Sequence, residues 1–219
     1  MPTFTSSFER LQFEFFTKEE IIQQTLDNVH DVTTYEAEFS QRRMSAEETE
    51  PDFIVASKVD DERDIRRDQY TGYAGDEREP VDEIAYFTSE DAYAPDGLIS
   101  LTQWPSFFSY GKMLEAIDLE LLNNIEEDFE ESSDGFELAY EGEAFDAFSA
   151  FLDPRFEELD QHLKLSIKLQ KEPLALERFH LIQYVQYNDE ELSSEVEITF
   201  NNINEPLDLE IPDELKESE

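Results

Sequence analysis

Apolar and polar positions alternate along the start of the chain. From Phe8 to Phe16, Leu11, Phe13 and Phe15 alternate with Gln12 and Glu14, the period of a half-buried strand. The period changes at Thr17. Thr17-Lys18-Glu19-Glu20 has the form of a capping box, and Ile21, Ile22, Leu26 and Val29 follow at helical spacing. A helix is therefore predicted over 18–29. Tyr35, Ala37 and Phe39 restore the alternation and predict a second strand. Residues 1–44 thus read as a strand–helix–strand unit.

Residues 45–96 form an acidic, partly irregular segment. Phe53 to Val59 (FIVASKV) has the β-branched, aromatic composition of a buried strand. Tyr70 to Pro80 reads as loop, and Ile84 to Phe87 as another short strand. In the acidic segment 97–153, Pro105 is placed to open a helix. Met113, Leu114, Ile117, Leu121, Leu122, Ile125 and Phe129 then recur at spacings of three and four, which predicts a long amphipathic helix ended by Asp134-Gly135. Phe145, Phe148, Phe151 and Leu152 make a shorter helical pattern.

From His162 the period returns to two, with Leu163, Leu165, Ile167 and Leu169 set against Lys164, Ser166 and Lys168. Further strands are predicted at Phe179 to Tyr187, Val196 to Phe200 and Leu207 to Ile211, with turn residues at Asn188-Asp189 and Asn204-Glu205-Pro206. Residues 154–212 thus predict a four-stranded antiparallel meander, and 213–219 an acidic tail. The predicted fold class is α+β: this meander, a long amphipathic acidic helix and the N-terminal unit, in one compact domain or two packed subdomains.

Charge sets the chain apart from an ordinary mixed domain. Its 219 residues carry 56 acidic and 16 basic side chains, a formal charge of −40. High charge alone predicts disorder, but 39% of residues are hydrophobic and 18 are Phe. Each buried Phe contributes roughly 1.5–3 kcal/mol, so a core is expected. Forty charges on a sphere of roughly 22 Å radius set a potential of about 2 kcal/mol per unit charge at physiological salt. That field steers a basic partner. The densest stretch, Glu115 to Asp160, holds 17 acidic residues and one basic residue.

Chemical motifs are sparse. Absence of cysteine excludes a disulfide, a thiolate nucleophile and a Cys-ligated zinc. G-x-S-x-G, P-loop, G-x-G-x-x-G and H-E-x-x-H patterns are missing, and His30, His162 and His180 show no ligand spacing. Neither enzyme nor cofactor is expected. Glu130 to Gly135, followed by Glu141, approaches a calcium-loop pattern. Glu130 stands where Asp is needed and Glu137 where an aliphatic residue packs, so no metal site is assigned. MPTFTSSFERLQFEFF lacks the basic start and apolar run of a signal peptide, no run of about 18 apolar residues is found, and cytoplasmic residence is expected.

The acidic surface is the remaining signal. Carboxylates at i and i+4 on a helix lie about 6 Å apart, and at i and i+2 on a strand roughly 6.6 Å apart, close to the spacing of phosphates along a nucleic-acid strand. The function expected is that of a DNA mimic occupying the basic groove of a nucleic-acid-binding protein, without itself binding nucleic acid or membrane. The analogy, on charge alone, is with the anti-restriction and anti-CRISPR inhibitors of phages and mobile elements. An immunity protein or chaperone for a basic toxin, histone or ribosomal protein is the alternative, and a halophilic host would also select for charge. The contact surface expected is Glu115, Asp118, Glu126, Glu127, Asp128, Glu130 and Glu131, supported by Asp60, Asp61, Glu62 and Asp64.

Overall fold

The computed structural model describes residues 17–44, 53–74, 79–93, 110–116, 128–143, 160–187 and 190–213. The chain forms helix α1 (Lys18–Asp27), a 3-10 turn (Asn28–Asp31), β1 (Thr34–Met44), β2 (Phe53–Asp60), β3 (Ile65–Ala74), β4 (Glu79–Phe87) and β5 (Ala92–Tyr93). A short helix α2 (Tyr110–Ala116) follows, then β6 (Asp128–Glu131), β7 (Gly135–Glu143), β8 (Gln161–Lys171), β9 (Leu174–Tyr187) and β10 (Glu190–Asn201). All ten strands share one sheet in the order β5-β4-β3-β2-β1-β10-β9-β8-β7-β6, and every pairing is antiparallel. The chain starts at the centre of the sheet, meanders to one edge, reappears at the other edge and meanders back to pair β10 with β1.

The expected α+β fold with a long acidic helix is therefore corrected to a single large antiparallel sheet carrying short helices. Where one helix was predicted through Phe129, the described residues give helix α2 over Tyr110–Ala116 and an edge strand over Asp128–Glu131. The physical reason is visible in the hairpin. Phe129 lies opposite Leu138 in the ladder, and Lys171 Nζ sits 2.8 Å from Glu131. On a single helix the carboxylates of this stretch would face one another at i and i+4, which is destabilising. Of the predicted loop over 70–80, residues 70–74 lie in β3 and residues 79–80 in β4. Gly72, at φ 142°, takes a backbone conformation that side chains disfavour. Pro80 lies in the stretch of β4 that pairs β3 alone, where its missing N–H breaks no ladder.

The C-terminal meander has three strands, not four. Residues 207–211 are extended but unpaired, and Leu209 is buried while its carbonyl accepts from Arg63. Helix α1 forms where its cap predicts it. Glu20 N–H donates to Thr17 Oγ1 at 3.3 Å, and Thr17 N–H donates to Glu20 Oε2 at 2.8 Å. The predicted strand at 8–16, the Pro105 helix start, the pattern at 145–152, the Asn188-Asp189 turn and residues 214–219 of the predicted tail lie outside the described residues.

Successive rows of side chains have opposite character. Leu138, Ile167, Phe179, Ile198, Phe39, Val55 and Tyr70 stand opposite one another on seven adjoining strands, and all seven are buried. This apolar row belongs to the inner face, against which both helices pack. The next row is Glu137, Lys168, Arg178, Thr199, Glu38, Ala56 and Gln69, on the outer face. Alternation of two in the sequence thus becomes one oily and one polar side of the sheet.

Candidate functional site

Helix α1 buries Ile21, Ile22 and Thr25 against the sheet. Thr25 donates its hydroxyl to the Ile21 carbonyl at 2.9 Å, so its polar atom is satisfied within the helix. Helix α2 is fixed by two tyrosines. Tyr110 N–H donates to Tyr35 Oη at 3.2 Å, and Leu176 N–H donates to Tyr110 Oη at 2.9 Å. Leu176 follows a register shift between β8 and β9, where an irregular ladder leaves backbone groups seeking partners. Both rings pack on Phe200, with centroids 5.8 Å and 5.1 Å away. Burial pushes both phenols up to about 12, so they remain neutral hydrogen-bonding groups.

Between these helices and the second half of the sheet lies a cavity lined by Ile22, Thr25 and Leu26 of α1, Leu114 of α2, and Leu138, Ile167, Leu169 and Leu176 of the sheet. Its lining is apolar throughout, and its free space of about 10 Å³ is the size of one water molecule. It is a narrow seam between two layers with little free space. Among the described residues no titratable side chain lines it. Chemically it can bury hydrocarbon and little else.

The outer face uses its charges locally. Glu195 accepts from His180 at 2.7 Å and pairs with Arg42. Burial alone would raise the Glu195 carboxyl, but the hydrogen bonds from His180 and Arg42 outweigh it and hold the group below the ordinary range. Lys168 lies 2.7 Å from Glu177, Lys164 lies 3.1 Å from Glu141, and Lys58 lies 2.6 Å from Glu36. Cross-strand pairs of this kind stabilise a sheet. Glu137 and Glu141 of the near calcium pattern are strand residues engaged with Ser166 and Lys164. The segment is a hairpin and not a loop between helices, and no cluster able to hold a metal occurs among the described residues.

The residues expected to face a basic partner do not gather into one surface. Asp60, Asp61, Glu62 and Asp64 occupy the β2–β3 connection. Asp60 is only 6% exposed and accepts from Arg63 N–H at 2.9 Å. Asp64, at φ 53°, receives Ser89 N–H at 2.9 Å, and the Ser89 hydroxyl and N–H keep its carboxyl low. Partial burial and the neighbouring Asp60 and Asp64 raise Asp61. Asp128, Glu130 and Glu131 lie on β6, six strand spacings from β2, about 29 Å along the sheet. Glu115 is in α2, and Asp118, Glu126 and Glu127 lie outside the described residues. The seam residues went unsingled in the sequence because their signal, apolar periodicity, is the signal of any core.

No family model matches the chain, and no curated protein matches it either. A solved structure does share its architecture. LprF from Mycobacterium bovis superposes with a TM-score of 0.52 at 11% identity, covering 89% of this chain and 96% of its own. The Mycobacterium tuberculosis lipoprotein LppX gives 0.45 at 12% identity, covering 88% and 97%. A LolA superfamily protein from Nitrosomonas europaea gives 0.30 at 9%, covering 91% and 97%. On the fold shared with LprF, the expected DNA mimic, its anti-defence setting, its basic nucleic-acid-binding partner and its cytoplasmic residence are all corrected. The sheet and its apolar inner face, not an acidic helix, organise the molecule, and the fold is the one seen in LprF.

Proposed function

We propose that this protein binds a lipid, holding its hydrocarbon between α1, α2 and the inner face of the sheet. One observation carries the reading: an apolar seam, without a titratable group, lies between a helical layer and a continuous apolar row across seven strands. The chain shares its fold with LprF, and the binding role rests on the seam itself. The role is that of a carrier, not an enzyme. The narrow seam widens by separating the helices from the sheet, and the apolar surface so exposed is recovered against ligand at roughly 25 cal/mol per Å².

The test uses N-phenyl-1-naphthylamine, an uncharged dye that brightens in apolar surroundings. Titration gives a saturable signal that methyl oleate displaces. Leu138→Trp, which fills the seam from the sheet side, lowers dye affinity at least tenfold while thermal unfolding stays cooperative. A dye signal that is absent, or unchanged in Leu138→Trp, overturns the assignment.

A further inference from the structure

On the inner face of β3, two residues before Tyr70 at the end of the oily row, lies a buried polar group. Asp68 is 0% exposed, and Tyr70 is equally buried. Tyr70 Oη donates to Asp68 Oδ2 at 3.1 Å, and Arg66 Nη2 lies 2.9 Å from the same oxygen. The Arg66 guanidinium also lies 4.4 Å from the centroid of the Phe87 ring. The Ser57 hydroxyl across the ladder also supports the Asp68 carboxylate, yet among the described residues Asp68 Oδ1 and Arg66 Nε have no partner at hydrogen-bond geometry. A buried polar atom left without a partner costs roughly 1–3 kcal/mol, and here an acceptor and a donor are left so on adjoining side chains of one strand face. Asp68 lies two residues from Tyr70, the last member of the apolar row, and in register with Ser57 and Ala85.

We propose that Arg66, Asp68 and Tyr70 form a head-group site for an uncharged, hydroxyl-bearing lipid, such as a glyceride or a glycosylated chain. This deepens the lipid-binding reading above and rests on it. A hydroxyl both donates and accepts, so one such group satisfies Asp68 Oδ1 and Arg66 Nε together. An anionic head group is disfavoured, because Asp68 would face it and the chain's net charge of −40 repels it. Length agrees. Tyr70 on β3 stands five strand spacings from Ile167, which lines the seam, about 24 Å along the sheet. The hydrocarbon of one bilayer leaflet is about 15 Å deep, so the row accommodates an acyl chain and leaves room for a polar end.

Competition with the dye compares three ligands sharing one acyl chain: monooleoylglycerol, methyl oleate and oleate. The unmodified protein binds monooleoylglycerol about tenfold more tightly than methyl oleate, and oleate most weakly. Asp68→Ala and Asp68→Asn both reduce that preference to near unity while methyl oleate affinity is retained. Equal affinity for the glyceride and the ester in the unmodified protein leaves the acyl seam standing and overturns the head-group site. So does a preference that survives both variants. Binding of none of the three overturns both readings. Because the ligand comparison is made first on unmodified protein, it stands even where a variant fails to fold.

Discussion

Glu195 shows how a carboxylate becomes a stabilising group in a chain overloaded with them. Its side chain is 16% exposed and takes both Arg42 and His180 as partners across the β1–β10–β9 ladder. Its carboxyl is lowered from the ordinary 4.5, so the folded state favours the ionised form. Stability from this group is present above the unfolded value and disappears as pH falls through the lower folded one. Glu195→Gln is expected to cost about 1–3 kcal/mol at pH 7. The difference from the unmodified protein should close as pH drops below 4.5. Urea midpoints measured from pH 7 to pH 3 check this, and a difference that widens in acid would refute the pairing. Asp68 has the opposite sign. Burial raises its carboxyl despite Arg66, so its contribution is fully present only below the ordinary aspartate value and falls as pH rises through the folded one.

At the scale of elements, α2 is seven residues long and too short to persist on its own. It is held by the Tyr35 and Tyr110 hydroxyls, through one backbone N–H donated by the helix and one donated by β9. Tyr110→Phe leaves the buried Leu176 N–H without its acceptor and is expected to cost about 1–3 kcal/mol. Hydrogen exchange at the Leu176 amide should accelerate in this variant more than exchange elsewhere in β9, and unchanged protection there would count against the anchor. The β6–β7 hairpin depends on a glycine instead. A Cβ on Gly135 would overlap the Leu169 carbonyl oxygen of β8, so Gly135→Ala is expected to cost about 1–3 kcal/mol by overpacking, read from the thermal midpoint.

These elements also show what the amino-acid pattern discloses. The Thr17 capping box, the composition of Phe53–Val59 and the alternation in Leu163–Leu169 are local signals, and each produced its element. Gly72 and Pro80 are local signals too, but within strands they mark a positive φ and a stretch of β4 paired on one side, and alone they read as loop. Phe129 fits a helical stripe as well as a strand. What decides is Leu138 across the hairpin, and sequence spacing does not report it. The seam was legible only as core. The Arg66–Asp68–Tyr70 group was not legible, because Arg and Asp two apart read as surface charge until the sheet buries them.

Closure of the whole sheet depends on β1 meeting β10, which are distant in sequence. Asn202 Nδ2 donates to Glu36 Oε2 at 2.7 Å across 166 positions at that junction. No local period encodes this pairing, so the sequence alone yields a C-terminal meander and a separate N-terminal unit, and not one continuous sheet. The same scale governs charge. The formal −40 makes long-range repulsion a whole-molecule property that opposes compaction, while the ion pairs of the outer face act over a few ångströms. Salt separates the two, because the Debye length shortens from about 30 Å at 0.01 M to about 3 Å at 1 M. Repulsion among exposed carboxylates is then screened, and the part-buried pairs such as Glu195–Arg42 much less so. The thermal midpoint is therefore expected to rise by more than about 4 °C between these salt concentrations, equivalent to over ~1 kcal/mol for a chain of this size. A midpoint that falls would mean that surface pairs outweigh net repulsion. Dye and methyl oleate affinities, resting on hydrocarbon burial, should hold or strengthen over the same range. A groove-filling polyanion would instead lose affinity steeply with salt, so one salt series distinguishes a molecule that works through its oily inner face from one that works through its charge.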